Sequence, residues 1–206
     1  MSPRPQKASD EEIFIAATRV MSRLGPREIT LAHIAGEAGL TASALVQRFG
    51  SKRALLLALS ERWANATGQV FAGLRAADPS PLASLYAYGR CMAQLGASAD
   101  ALAHNLSWLQ QDLTDPDFRR CMLVQARASR RELQRLIEEA VRARELIAST
   151  DAAALARAIE VTVGGSLMAW AVHQEGTATS WIGHDMEMLL RPFLRTPRPR
   201  SKRRRR

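Results

Sequence analysis

The stretch Thr30–Leu57, TLAHIAGEAGLTASALVQRFGSKRALLL, decides the fold. It reads as two short helices, a tight turn and the start of a longer helix. Thr30 stands where it can cap a helix whose inward positions are Leu31, Ile34, Ala35 and Ala38. Gly39 follows where that helix must stop, because glycine enters the left-handed region without a Cβ penalty. Leu40 fills the corner, and Thr41 caps a second helix that turns Leu45 and Phe49 inward. Small Ala35 suits the closest approach of the two helices. The layout is that of a helix-turn-helix, whose second helix lies in the major groove of DNA.

The flanking sequence extends the pattern as helices. Upstream, Ser9 and Glu12 form a capping-box signature before Ile13, Ala16, Ala17, Val20, Met21 and Leu24, which recur at three- and four-residue steps until Gly25-Pro26. Downstream, Ser51 caps a helix predicted to run to about Ala77. Lys52 and Arg53 sit in its first turn, where cations oppose the helix dipole and a phosphate partner would account for them. Asp78-Pro79-Ser80-Pro81 is the clearest break. Helices follow over about Leu82–Met92, Ala101–Leu113, Pro116–Arg144, Asp151–Glu175 (capped by Thr150) and Trp181–Leu194 (capped by Ser180). The fold class is therefore all-α: an N-terminal helix-turn-helix head joined by a long fourth helix to a C-terminal helical body.

Charge is unevenly distributed. The net +9 owes eight basic residues and no acid to the tail from Arg195, leaving +1 for the rest. Residues 1–62 carry +3 and residues 63–194 carry −2. A mildly positive head on a near-neutral body fits a small DNA-reading unit attached to something else. No apolar run reads as a membrane span and the N-terminus lacks a signal-peptide core, which predicts a cytoplasmic protein. Cys91 and Cys121 lack CxxC spacing and read as reduced, buried thiols. Metal-ligand spacing, a glycine-rich phosphate loop and a nucleophile elbow are all absent, so no cofactor, metal or enzymatic activity is expected.

The segment 30–52, T-x-x-x-I-A-x-x-A-G-L followed by T-x-S-A-L-x-x-x-F-x-S-K, resembles the head of the TetR family of bacterial transcriptional regulators. The resemblance is specific over about residues 10–60 and architectural beyond. It implies a homodimer bound to a palindromic operator, usually as a repressor, and released when a small molecule occupies the body. With the charge and helix pattern, the expected division is a flexible arm (1–8), a DNA-binding domain (9–62), an effector-binding and dimerisation domain (63–194) and a disordered basic tail (195–206). Val46 departs from the family, which usually has a DNA-contacting Tyr there, and Gln47 departs at a position that is often aromatic or His.

Candidate DNA contacts are Thr41, Ser43, Val46, Gln47 and Arg48, with Thr30 and Lys52 on phosphates. Gln reads adenine N6/N7 and Arg reads guanine O6/N7. The expected effector pocket is lined by Met92, His104, Trp108, Phe118, Met122 and Trp170. The expected dimer face comprises Leu155, Ile159, Val163, Ser166 and Trp170 on one helix and Ile182, Met186, Leu189 and Phe193 on the next, because a reader of this kind needs two half-sites. Two alternatives remain open: a co-regulator acting through protein contacts with weak DNA binding, and a small all-helical enzyme.

Overall fold

The computed structural model describes residues 8–195; the first seven residues of the arm and the tail from Thr196 lie outside them. The described chain is α1 (Asp10–Met21), α2 (Leu31–Glu37), α3 (Ala42–Phe49), α4 (Lys52–Ala77), α5 (Pro81–Ala93), α6 (Ala99–Thr114), α7 (Pro116–Arg142), α8 (Ala152–His173) and α9 (Ala178–Leu190). Short 3-10 turns follow α5 and α9. The only β pairing among the described residues is an isolated bridge, Leu146 to Leu194, which ties the loop before α8 to the chain after α9.

Local chemistry sets most helix starts. Ser9 and Glu12 form the reciprocal capping box of α1. Thr30, Thr41, Ser51, Ser80, Ser98 and Asp115 each accept a backbone N–H from the first turn of the helix they precede. Gly39 has φ +66°, as the turn between α2 and α3 requires. Several expected ends move. α1 stops at Met21, and the chain reaches Gly25-Pro26 through a turn. Asp151, not Thr150, caps α8, because the Thr150 hydroxyl is turned back onto the Ile147 carbonyl. Thr177 caps α9, and Ser180 is the third helical residue that closes its capping box.

Two hydrophobic cores organise the packing. One gathers Ile13, Val20, Ile29, Ile34, Leu45 and Leu55 from the first four helices. The other gathers Phe71, Leu85, Leu136, Ile137, Ile159 and Met186 from α4, α5, α7, α8 and α9. α4 and α7 pack along one another and both contribute to both cores. Arg75 on α4 fastens the pair, with Nη1 2.9 Å from Glu132 and Nε 3.1 Å from Glu139.

α8 departs from the sequence expectation in another way. By length and composition it reaches the threshold for a membrane span, although seven of its residues lie in the core. It is apolar on both faces. The inner one is held close to the turn after α5, where a Cβ on Gly96 would come within 2.7 Å of Leu167 Cδ1 and 3.1 Å of Ala178 Cβ. Gly96→Ala is therefore expected to lower unfolding free energy by about 1–3 kcal/mol through overpacking, measured by urea denaturation.

Candidate nucleic-acid interface

The recognition helix α3 is short and capped at both ends, by Thr41 and by Gly50 at φ +80°. Only Leu45 is fully buried on it; Phe49 and Ala44 are half-buried. With 3.6 residues per turn, Ser43 and Gln47 lie about 160° from Leu45 on either side, at the centre of the outward face, and Val46 flanks them at about 100°. All three are exposed. Thr41 Oγ1 accepts from Ala44 N and lies 3.0 Å from Ser43 Oγ. Thr30 Oγ1 similarly accepts from His33 N, which leaves each cap hydroxyl its own hydrogen to donate.

The head's cations are differently disposed from the sequence expectation. Lys52 Nζ is half-buried and donates to the carbonyls of Pro26 (3.1 Å) and Ile29 (2.9 Å), so two of its three hydrogens hold the turn before α2 and do not face outward. Arg48 is turned onto the start of α1, against Asp10 and the Ala8 carbonyl. Arg53 does not await a phosphate: it reaches both oxygens of Asp115 (Nη2 at 2.8 and 2.9 Å) and Asp117 (2.8 Å), and lies over the Phe118 ring at 5.6 Å. Its hydrogen bonds to the Asp117 and Asp115 carboxylates hold the guanidinium above its ordinary pKa. Arg19 and Arg23 pair with Glu37, and Arg62 with Glu11. Arg27 is exposed and has no acidic or carbonyl partner among the described residues. It stands in the turn before Thr30, and no motif in the sequence singled it out.

The expected effector-pocket residues do not meet in one cavity. Trp108 and Phe118 belong to the head's core, and the Trp108 indole donates to the carbonyls of Met21 (3.3 Å) and Leu24 (3.2 Å) at the end of α1. Trp170 is in the body core, with Met92 packed against that core. His104 and Met122 are half-buried and belong to neither. The α6–α7 corner lies against the head, so its large apolar side chains complete that core. The residues of the expected dimer face lie mostly inside the subunit. Leu155, Ile159, Val163, Ser166, Trp170, Ile182 and Met186 are buried within the subunit, and Leu189 and Phe193 pack half-buried against the same core. Ser166 Oγ donates to Asp185 at 2.6 Å, closing α8 onto α9. Among the described residues no group of three or more His, Cys, Asp or Glu could hold a metal.

A helix-turn-helix head sharing its core with a helical body defines a class of DNA-binding regulator. Residues 13–59 match the family described as bacterial regulatory proteins, tetR family. No curated protein matches the chain in sequence. Among solved structures, a TetR transcription regulator from Haloarcula marismortui superposes with TM-score 0.73 at 17% identity, over 90% of this chain and 98% of that one. A TetR-family regulator from Agrobacterium tumefaciens gives 0.70 at 20%, over 90% and 97%. SmeT, the repressor of the Stenotrophomonas maltophilia efflux pump SmeDEF, gives 0.65 at 21%, over 93% of each. The head thus matches the tetR family in sequence over residues 13–59, and the whole chain shares the fold of these TetR-family regulators.

Trp108→Phe keeps the ring and removes its N–H from the end of α1. The variant is expected to lose about 1 kcal/mol of stability, read as a lower urea midpoint with an unchanged slope.

Proposed function

We propose that this protein is a dimeric repressor that reads a palindromic operator with α3 and leaves it when a small molecule binds the body. The observation that carries the proposal is the outward ridge Ser43–Gln47–Val46 on a short, doubly capped helix whose opposite side is fixed by Leu45. Gln47 supplies the paired donor and acceptor that match adenine N6/N7, and Val46 supplies a methyl surface for thymine. Thr30, Thr41 and Arg27 flank the ridge as phosphate contacts. Lys52 keeps one ammonium hydrogen for such a contact, but its main work is in the turn. The repressor role is supported by likeness to SmeT, itself a repressor.

Dimerisation is supported by the outer face of α8. Val161 and Val172 are 67% and 81% exposed, with Met168 also exposed between them and Gly164-Gly165 leaving the backbone open to close approach. Gly183 on α9 is likewise open, with nothing near a Cβ built on it. An uncovered apolar face on a helix of this composition is what a second copy would bury.

The proposed effector contact is Tyr88, on the central helix α5. Its ring is buried and stacked on Phe71 at 5.4 Å. Burial, with Glu160 and Cys91 nearby, pushes the phenol up to about 12, so it remains a neutral donor. Its hydroxyl makes no hydrogen bond with a described residue. Response to a ligand there would reach the head along α4 and α7 together, and through the Arg53–Asp115 clasp at the α6–α7 corner. Burial raises the Asp115 carboxyl, but the hydrogen bonds from Arg53 and the Asp117 and Phe118 backbones outweigh it, and the net shift is downward. A lowered carboxyl pKa stabilises the fold above the unfolded value, and the clasp is lost as pH falls through the folded one.

One observation favours a second reading, a co-regulator with weak DNA binding: most of the head's described cations are paired inside the molecule. Selection from random duplex DNA separates the two, since an enriched palindrome supports the repressor and none favours the co-regulator. On the selected duplex, Gln47→Ala is expected to bind about tenfold more weakly, with relaxed preference at one base pair per half-site. Val161→Glu is expected to sediment as a folded monomer, and its loss of duplex binding would follow from the loss of the second half-site contact.

A further inference from the structure

α1 opens Asp10-Glu11-Glu12. Three carboxylates suit a helix N-terminus, because they oppose the positive end of its dipole. This end, however, lies beside the recognition helix. Ala8 and Ser9 line a groove of about 500 Å³ together with Leu40, Ala44, Gln47 and Arg48. Carboxylates in that place repel a phosphate backbone, the more so at low salt.

The head answers two of these charges with cations and the third with a cap. Arg48 Nε lies 2.5 Å from Asp10 Oδ1, and its Nη1 donates to the Ala8 carbonyl. Arg62 pairs with Glu11 while lying over the Phe14 ring at 5.9 Å. Glu12 accepts from the Ser9 backbone and hydroxyl, which lower its pKa. Around α3, Arg48 is only about 60° from the buried Leu45, well off the outward ridge. With Nε held by Asp10, the side-on Nε/Nη2 pair of donors is not free for a guanine edge.

We propose that Arg48 supports DNA binding through Asp10 and not by reading a base. It is a positioning residue: it cancels the Asp10 carboxylate and holds the first turn of α1 against α3, so that the groove beside Gln47 carries no net negative charge. The inference rests on the DNA-reading function above.

The test is a double-variant cycle on a fluorescent duplex carrying the sequence that the wild-type protein selects. Arg48→Ala uncovers Asp10 and is expected to weaken binding about fivefold at moderate salt, with the gap widening as salt falls. Asp10→Asn in the same chain is expected to return affinity to within about twofold of wild type, and Arg48→Lys to stay equally close. Selected base preferences are expected to be identical in all variants. If the double variant stays as weak as Arg48→Ala, or if Arg48→Ala loses preference at one base pair per half-site, Arg48 reads DNA directly and the inference is overturned while the DNA-reading function stands. If wild type enriches no sequence, the function itself fails and the inference with it. Arg48→Gln, neutral and helix-forming, carries the same expectations and replaces Arg48→Ala if circular dichroism shows that variant unfolded.

Discussion

The Trp108 indole on the carbonyls of Met21 and Leu24 is the contact on which the rest of the molecule depends. A head of three helices of 12, 7 and 8 residues has little interior of its own. Trp108 and Phe118, from the α6–α7 corner, supply the missing apolar volume, and Trp108 also satisfies backbone carbonyls at the end of α1. The head is thus finished by residues more than a hundred positions into the chain, and it is not a separate bead on the first turns of α4. Any displacement of the α6–α7 corner is a displacement of the head's core.

Charge reinforces that union. Arg53 opens α4, where its cation disfavours the helix, and the acids that compensate it are Asp115 and Asp117 at the opening of α7. Two helix N-termini, one bearing cations and one bearing acids, therefore sit against each other, and the acids that suit the start of α7 also offset the cation that disfavours the start of α4. Farther along the same two helices, Arg75 repeats the device with Glu132 and Glu139. The pairs are partly exposed, so their value lies less in stability than in fixing the register of α4 on α7. A fixed register makes the two helices a single strut between the cores.

Features that depend on near neighbours were legible in the sequence. Ser9 with Glu12, Thr30, Gly39, Thr41 and Ser51 act within four residues, and each does what its spacing predicts. At α9 the cap is Thr177, three residues before the Ser180 that the sequence suggested, because only the reciprocal bond identifies which residue is the cap and which its partner. The partners of Arg48, Lys52, Arg53 and Trp108 are set by tertiary packing, which periodicity does not encode. For α8 the failure is of another kind. Leu155, Ile159, Val163 and Trp170 face inward while Val161, Met168 and Val172 face out, and a helix apolar all round gives a period no reason to prefer one face.

That two-faced helix also explains why the small residues of the body fall where they do. Gly96 is buried against the inner side of α8, where Leu167 leaves no room for a Cβ, and Gly89 is buried against Met186 of α9 in the same way. Gly164, Gly165 and Gly183 lie on the outer side with nothing near them, although a glycine inside a helix costs about 1 kcal/mol relative to alanine. Inside the subunit the loss is offset by tight packing against Met186 and Leu167. Outside it, no contact within one chain offsets the loss, and an approaching helix backbone would. The same residue type thus has a reason on the inner face within one chain, and on the outer face acquires one only when two chains meet.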